Sequence, residues 1–406
     1  TITNPRTGDD FTSDLVKIVK PNISPLLMSL LILFLTVVLV NDSSAAIFEM
    51  LALAFFFNKF SILLSVLFII DILIEQLISI VINYLYYNCS IYKVQNVMFS
   101  KNYTLVGIPL DCGKITKGCL MGPDAYRTAG IVEMIDNLGH SVNDIGNIFP
   151  DKYEEENDEN LKLYKLNENI AWIEKIFRIA KQEIKNSIPI FLGGDHALSA
   201  GSVSGVSAFA KEVNRPQFVL WLDAHPDFHT LHSSSSGNLH GTPVAYFTGQ
   251  PGFEFFPYLE APVPTENILM LGLRSVDSEE RNTLKELSMN TVDMRYIDEF
   301  GIKTPLEKFL RHIKKVNGML HLSVDVDFLD PIYAPAVGTT VPGGATIREA
   351  HLVMEMLHDS ELITSIDLVE LNPFLDKKGQ TTYLMVDLLA SVLGRKIFDK
   401  STTSYI

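Results

Sequence analysis

Two carboxylates and two imidazoles fall within one short stretch, Asp223-Ala224-His225-Pro226-Asp227-Phe228-His229, directly after the apolar run 218–222. Alternation along an extended strand end turns Asp223, His225 and Asp227 to one side, where oxygen and nitrogen donors together suit a divalent cation. An Asp-x-His pair alone usually marks a turn or a solvated strand end, so further partners are required. Other apolar runs end in the same way. Run 188–192 leads into Gly193-Gly194-Asp195-His196, and 319–324 into Asp325-Val326-Asp327. Run 268–271 leads into Gly272-Leu273-Arg274-Ser275-Val276-Asp277, and 363–369 into Glu370-Leu371-Asn372-Pro373. Taken singly, these are turns, helix caps or exposed strand ends. Taken jointly, carboxylates gathered at one edge repel one another unless cations compensate them. His196, Asp223, His225, Asp227, Asp325 and Asp327 are too many ligands for one open catalytic ion and fit two ions sharing carboxylates. Such a pair activates water for hydrolysis at neutral pH. The oxygen-rich donor set suits Mn²⁺ best, with Co²⁺, Ni²⁺ and Fe²⁺ as alternatives.

Those side chains meet only if the runs are parallel strands of one sheet, because ligands of such sheets gather at the carboxyl ends. From residue 98 onward, short apolar runs alternate with helical stretches, as in an α/β domain. The runs are nearly continuous in apolar residues, which fits strands buried on both faces. Tyr103-Thr104-Leu105-Val106-Gly107 reads as the first of them. Segment 167–185 places Ile170, Ile173, Ile176, Phe177 and Ile179 at helical spacing, and 350–357 is a second expected helix. The acidic run 154–159 reads as a solvated loop, and no internal repeat is visible.

Composition narrows the function. A formal net charge of −15 and the lack of a basic cluster exclude a general nucleic-acid binder. The three cysteines, Cys89, Cys112 and Cys119, form no metal or disulfide spacing and fit a reducing compartment; Cys112 and Cys119 read as packing residues. Five of the ten histidines lie between His196 and His240, and none lies in 1–97.

Residues 1–97 differ from the rest. They hold two apolar stretches, 25–40 and 47–87, the second interrupted by Glu49, Asn58, Lys59, Asp71 and Glu75. Asp71 and Glu75, one helical turn apart, are costly in lipid without a partner. Three readings stay open: a membrane hairpin giving membrane contact through 1–97, a targeting segment, or residues outside the functional mature protein. In the hairpin reading, Arg6, Lys17 and Lys20 favour a cytoplasmic N-terminus, and two crossings return residue 98 onward to the cytoplasm. The expected division is therefore 1–97 as an apolar segment and 98–406 as a cytoplasmic catalytic domain.

Gly-Gly-Asp-His at 193–196, Asp-Ala-His-Pro-Asp at 223–227 and Ser-Val-Asp-Val-Asp-Phe-Leu-Asp-Pro at 323–331 resemble the three signatures of the ureohydrolase family. Its members include arginase, agmatinase and formimidoylglutamase, and the signatures occur in family order over roughly residues 101–398. The resemblance implies a three-layer α/β/α fold with a central, mostly parallel sheet, two Mn²⁺ per chain, and homo-oligomers, trimers or hexamers. Ser236-Gly237-Asn238-Leu239-His240-Gly241 resembles the arginase branch, which implies hydrolysis of L-arginine to L-ornithine and urea by a hydroxide bridging the ions. Agmatinase or another guanidino-compound ureohydrolase is the alternative.

Carried over by position, the resemblance gives His196, Asp223, Asp227 and Asp325 to one ion and His225, Asp223, Asp325 and Asp327 to the other, with Asp223 and Asp325 bridging. It makes His240 a proton shuttle and Glu370 the carboxylate that orients the guanidinium, a planar fork of donors. It sets Asp277 near the substrate α-amino group, Ser234 and Ser236 around the α-carboxylate, and Thr339 in the pocket. His229 departs from the family pattern, standing where many arginases have an Asn that contacts the α-carboxylate; an imidazole still donates a hydrogen bond. Ala197 stands where Ser is frequent, a packing difference. His321 is expected to be a satisfied core residue, His140, His312, His351 and His358 surface residues, and His232 a solvated residue of the Ser-rich loop.

Overall fold

The computed structural model describes residues 100–154 and 163–396. The three readings of 1–97 fall outside the described residues, as does most of the acidic run 154–159. Among the described residues, no helix is long and apolar enough to cross a membrane.

The apolar runs form one eight-stranded sheet. Its strands are β1 (Asn102–Ile108), β2 (Ser141–Asn147), β3 (Ile188–Gly193), β4 (Gln217–Leu222), β5 (Ile268–Leu273), β6 (Asn290–Asp293), β7 (Met319–Asp325) and β8 (Ile363–Val369). They lie in the order β2-β1-β3-β8-β7-β4-β5-β6, and every neighbouring pair is parallel. Parallel neighbours need crossovers, and helices supply most of them. Among the described residues, the six longest helices are α1 (Leu166–Glu183), α2 (Ser199–Glu212), α3 (Ser278–Glu286), α4 (Lys303–Lys315), α5 (Ile347–Ser360) and α6 (Gln380–Val392), the last following β8.

Strand alternation sends successive side chains to opposite layers. Leu105, Ile190, Leu220 and Leu322 pack with residues of α4, α5 and α6, such as Leu306, Val353 and Met385. Val106 and Phe191 pack with Trp172 and Ile176 of α1 and Val206 of α2, while Val219 and Trp221 pack with Val203 of α2 and Leu284 of α3. This is the expected three-layer α/β/α arrangement. All six residues of β4 and of β5 are buried, which is why these strands read as continuous apolar runs.

Two strands carried no such signal. Ser141–Asn147 and Asn290–Asp293 are polar and largely exposed, because they are the two edges of the sheet. Three histidines expected at the surface are half-buried instead. His140 Nε2 lies 2.8 Å from the Leu393 carbonyl, His358 Nδ1 3.3 Å from that of Val392, and His351 Nδ1 2.9 Å from Ser391 Oγ. All three contacts tether the end of α6. His312 is exposed, and His321, Cys112 and Cys119 are buried.

The strand order sets up the site. β3, β8, β7 and β4 are consecutive in the sheet, so the residues after each strand form one row at its carboxyl rim. The layer behind that row depends on close approach of α1 and α2. A Cβ at Gly201 would lie 2.7 Å from Ile176 Cβ, and one at Gly205 2.5 Å from the Phe177 carbonyl oxygen. Replacing Gly205 by Leu is therefore expected to destabilise the fold by about 1–3 kcal/mol, read as a lower denaturant midpoint. An unchanged midpoint would show that the two helices are not in this contact.

Candidate active site

The turn after β3 is fixed by glycine. Gly194 N donates to the Ile108 carbonyl at 3.0 Å and Asp195 N to that of Leu110 at 2.9 Å. A Cβ on Gly194 would collide with those carbonyls, so only glycine lets the backbone pass. Asp195 accepts from Ala197 N at 3.1 Å and from Gly113 N at 2.8 Å, which anchors the turn and the loop after β1. The His196 ring stacks on Trp221, with centroids 4.0 Å apart and planes 2° from parallel, and its Nε2 lies 2.9 Å from Ser323 Oγ. With the ring held so, Nδ1 faces Asp223 Oδ2, Asp227 Oδ2 and Asp325 Oδ2, each at 3.1 Å.

A second group lies alongside. His225 Nδ1 is 3.0 Å from Asp327 Oδ2 and 3.5 Å from Asp223 Oδ1. Asp223 thus turns one oxygen to each imidazole. Asp325 Oδ1 accepts the Asp327 amide at 2.8 Å, and Asp327 Oδ1 accepts that of Ala224 at 2.9 Å. Asp223, His225 and Asp227 converge through a loop in which Asp227 has a φ of 48°, rather than through the alternation of an extended strand.

The electrostatics ask for cations. Burial first, and then repulsion from Asp327 and Asp223, pushes the Asp325 carboxyl well above its usual range. Burial and Asp223 raise Asp327 to about 6. Burial opposes charge on His225, yet the hydrogen-bonded Asp223 and Asp327 carboxylates outweigh it and raise the imidazole to about 12. His196 Nδ1 and Asp223 Oδ2 are buried without a hydrogen-bond partner. His196, Asp223 and Asp227, and likewise Asp223, His225 and Asp327, are groups that fit a first-row divalent cation.

Of these residues, His225, Asp227, Asp325 and Asp327 line a cleft of about 310 Å³. Glu370 and His240 also line it. The Glu370 backbone is left-handed, with φ 66°, and its Oε1 accepts the His196 amide at 2.9 Å and faces His240 Nδ1 at 3.3 Å. The Leu239 and His240 amides both donate to the Gly113 carbonyl, at 2.6 and 3.0 Å, which fixes the loop that carries His240. His229, Ser234, Ser236, Asp277 and Thr339 also line the cleft, so every residue singled out around the substrate meets there. Asp277 caps α3, its Oδ1 accepting the Glu279 and Glu280 amides at 2.9 and 3.0 Å. Its Oδ2 lies 2.9 Å from His229 Nε2, and His229 Nδ1 lies 3.1 Å from Ser233 Oγ.

The sequence reading missed Glu280, Ser323 and Lys114. Glu280 Oε1 accepts the Phe228 amide at 3.1 Å, and burial raises its carboxyl to about 7. Its signal was available, because Asp277-x-x-Glu280 has the spacing of a capping box. Lys114, paired with Glu370, carried none.

The sequence model of the arginase family matches residues 101–394. The chain belongs to the arginase family. It is 56% identical over 302 residues to the arginase of Brucella abortus, covering 74% of this chain and 99% of that one. The native structure of Bacillus caldovelox arginase superposes with a TM-score of 0.68 at 35% identity, covering 73% of this chain and 100% of that one. Entamoeba histolytica arginase, solved in complex with L-ornithine, gives a TM-score of 0.65 at 26% identity, with 73% and 99% covered. Membership makes the chain a hydrolase of C–N bonds in linear amidines. Within this arginase-type site, the His196–Ser323 contact leads to a prediction. Replacing Ser323 by Ala is expected to weaken by about 10–100-fold whatever divalent cation the His196, Asp223 and Asp227 group would hold. Titration of the metal-free protein with a divalent cation reads the affinity, and an unchanged value would contradict the geometry.

Proposed function

We propose that this chain hydrolyses L-arginine to L-ornithine and urea with two divalent cations, Mn²⁺ being the best match to the donor set. His196, Asp223, Asp227 and Asp325 would hold one ion, and Asp223, His225, Asp325 and Asp327 the other. One observation carries the reading: Asp223 turns Oδ2 to His196 and Oδ1 to His225, so two cation positions share a carboxylate beside a cleft that contains His240 and Glu370. Bound there, the cations supply Lewis acidity and bring the pKa of water close to neutrality, which furnishes the nucleophile for the guanidino carbon.

The remaining work belongs to side chains. Glu370 offers a carboxylate to the planar guanidinium, the pairing with the best geometric match for that fork of donors. A carboxylate only accepts, so the His240 Nδ1 facing Glu370 carries hydrogen and Nε2 is left to exchange protons with the cleft. Burial opposes charge on His240, but the Glu370 carboxylate outweighs it and raises the imidazole, which favours a proton donor near neutral pH. One C–N bond breaks, one C–O bond forms, and the ornithine amine leaves with a proton delivered from His240. At the other end, Ser234 and Ser236 offer hydroxyls to an α-carboxylate and Asp277 offers charge to an α-ammonium. Every side chain in this scheme lies within 98–406, which we assign as the catalytic domain, separate from 1–97.

A second reading has its own support. His229 Nε2 is engaged by Asp277, which takes that nitrogen from a carboxylate and favours agmatine, a guanidino compound without one. Urea release from L-arginine and from agmatine, measured in parallel on the full chain, separates the two. The expected outcome is turnover of L-arginine that is lost on chelation and restored by Mn²⁺. Turnover of agmatine alone would transfer the assignment to the second reading, and no urea from any guanidino compound would sink both.

A further inference from the structure

Lys114 is the only buried lysine or arginine among the described residues, 2% exposed. Its Nζ pairs with Oε2 of Glu370, which is 3% exposed. Glu370 lines the cleft and Lys114 does not, so the ammonium supports the carboxylate from outside the substrate space. A Cβ at Gly338 would lie 3.3 Å from that Nζ, so the loop carrying Val337 and Thr339 closes over the lysine.

The donors around Glu370 are divided by oxygen. The His196 amide and His240 Nδ1 serve Oε1, while the Lys114 ammonium and, at 3.7 Å, the Cys119 thiol serve Oε2. Only one of these four is a permanent cation. The lysine comes from a braced segment: Gly113 N is tied to Asp195, and Gly113 O receives the Leu239 and His240 amides.

We propose that Lys114 is a positioning residue for guanidinium recognition: its buried ammonium fixes Oε2 of Glu370 from behind the cleft, so the carboxylate meets the substrate in one orientation. This rests on the arginine-hydrolase reading above. Lys114 touches no substrate and acts through Glu370, and its charge, rather than its bulk, does the positioning.

The test uses the full chain loaded with Mn²⁺, comparing wild type with Lys114→Met, a neutral side chain of similar length, and Lys114→Ala. For Lys114→Met, kcat/KM for L-arginine should fall about 10–100-fold, the range for a partner that orients a first contact. The loss should appear mainly as a higher KM, with manganese content unchanged. Lys114→Ala should lose as much and recover several-fold with millimolar ethylammonium or propylammonium, but not with propanol. Equal rescue by propanol would assign Lys114 a packing role, and a lowered KM in Lys114→Met would mean that the ammonium competes with the substrate; either overturns the inference. If Lys114→Met does not fold, Lys114→Gln, which keeps a donor without the charge, is read by the same criteria. A wild-type chain that turns over neither arginine nor agmatine removes the functional reading itself. An active wild type with an unaffected neutral variant removes this inference alone.

Discussion

Six buried carboxylates share one sheet rim, and the rest of the architecture follows from what that arrangement demands. Asp195, Asp223, Asp227, Asp325, Asp327 and Glu370 are all buried, and they follow four adjacent strands. Charges removed from water are tolerated only when paired and hydrogen-bonded. Three kinds of partner are arranged around them. Backbone amides at 113, 196, 224 and 327 point at carboxylate oxygens, Lys114 supplies a fixed cation, and the two imidazoles converge with the carboxylates in the geometry of divalent-cation sites. Amides and one lysine offset only part of this charge, and the imidazole–carboxylate groups fit the metal dependence of the family.

The demand extends below the rim. His321 and Asp367 have no exposure, and they sit on β7 and β8 beneath the candidate ligands. Asp367 Oδ2 accepts the Ser199 and Ser202 hydroxyls at 2.7 Å and lies 3.1 Å from His321 Nε2, while His321 Nδ1 lies 2.8 Å from Ser365 Oγ. Ser199 and Ser202 belong to the first turn of α2, and His196 lies just ahead of that helix. The buried polar pair therefore clamps the helix that follows His196 to the strand that precedes Glu370. A purely apolar contact would bury the same surface without fixing the helix along its axis.

Legibility in the sequence tracked how directly each feature depends on burial. Central strands are covered on both faces, so apolar runs revealed them, and residues after each run could be assembled at one rim from parallel topology alone. The edge strands β2 and β6 meet helices incompletely and expose Ser141, Asn143 and Asn290, so hydrophobicity carried no trace of them. Asp277 was legible as a site residue because it follows a buried strand. Lys114 was not, because its role depends on a contact with a residue 256 positions away, and nothing around it in the chain distinguishes it from a solvated loop lysine. His140, His351 and His358 were misjudged for the same reason: each meets the end of α6 through a contact that local pattern cannot report.

Backbone conformation gives the last link between fold and site. Among the described residues, Asn214, Ser288, Asn317 and Glu361 have positive φ just past helix ends, a common place for a left-handed residue. Asp227 and Glu370, at φ 48° and 66°, are at no such position. A left-handed residue with a side chain costs about 1–2 kcal/mol, which glycine at either position would avoid. Glycine has no carboxylate, however, and both positions need one, Asp227 facing His196 Nδ1 and Glu370 facing the cleft. Each residue is held by a backbone hydrogen bond: the Asp227 carbonyl accepts the Val244 amide at 3.2 Å, and the Glu370 amide donates to the Gly194 carbonyl at 2.9 Å. Glu370 directly follows the last residue of β8, whereas Asp227 lies in the loop beyond the end of β4. Both residues line the cleft, so these two backbone conformations bring carboxylates to it.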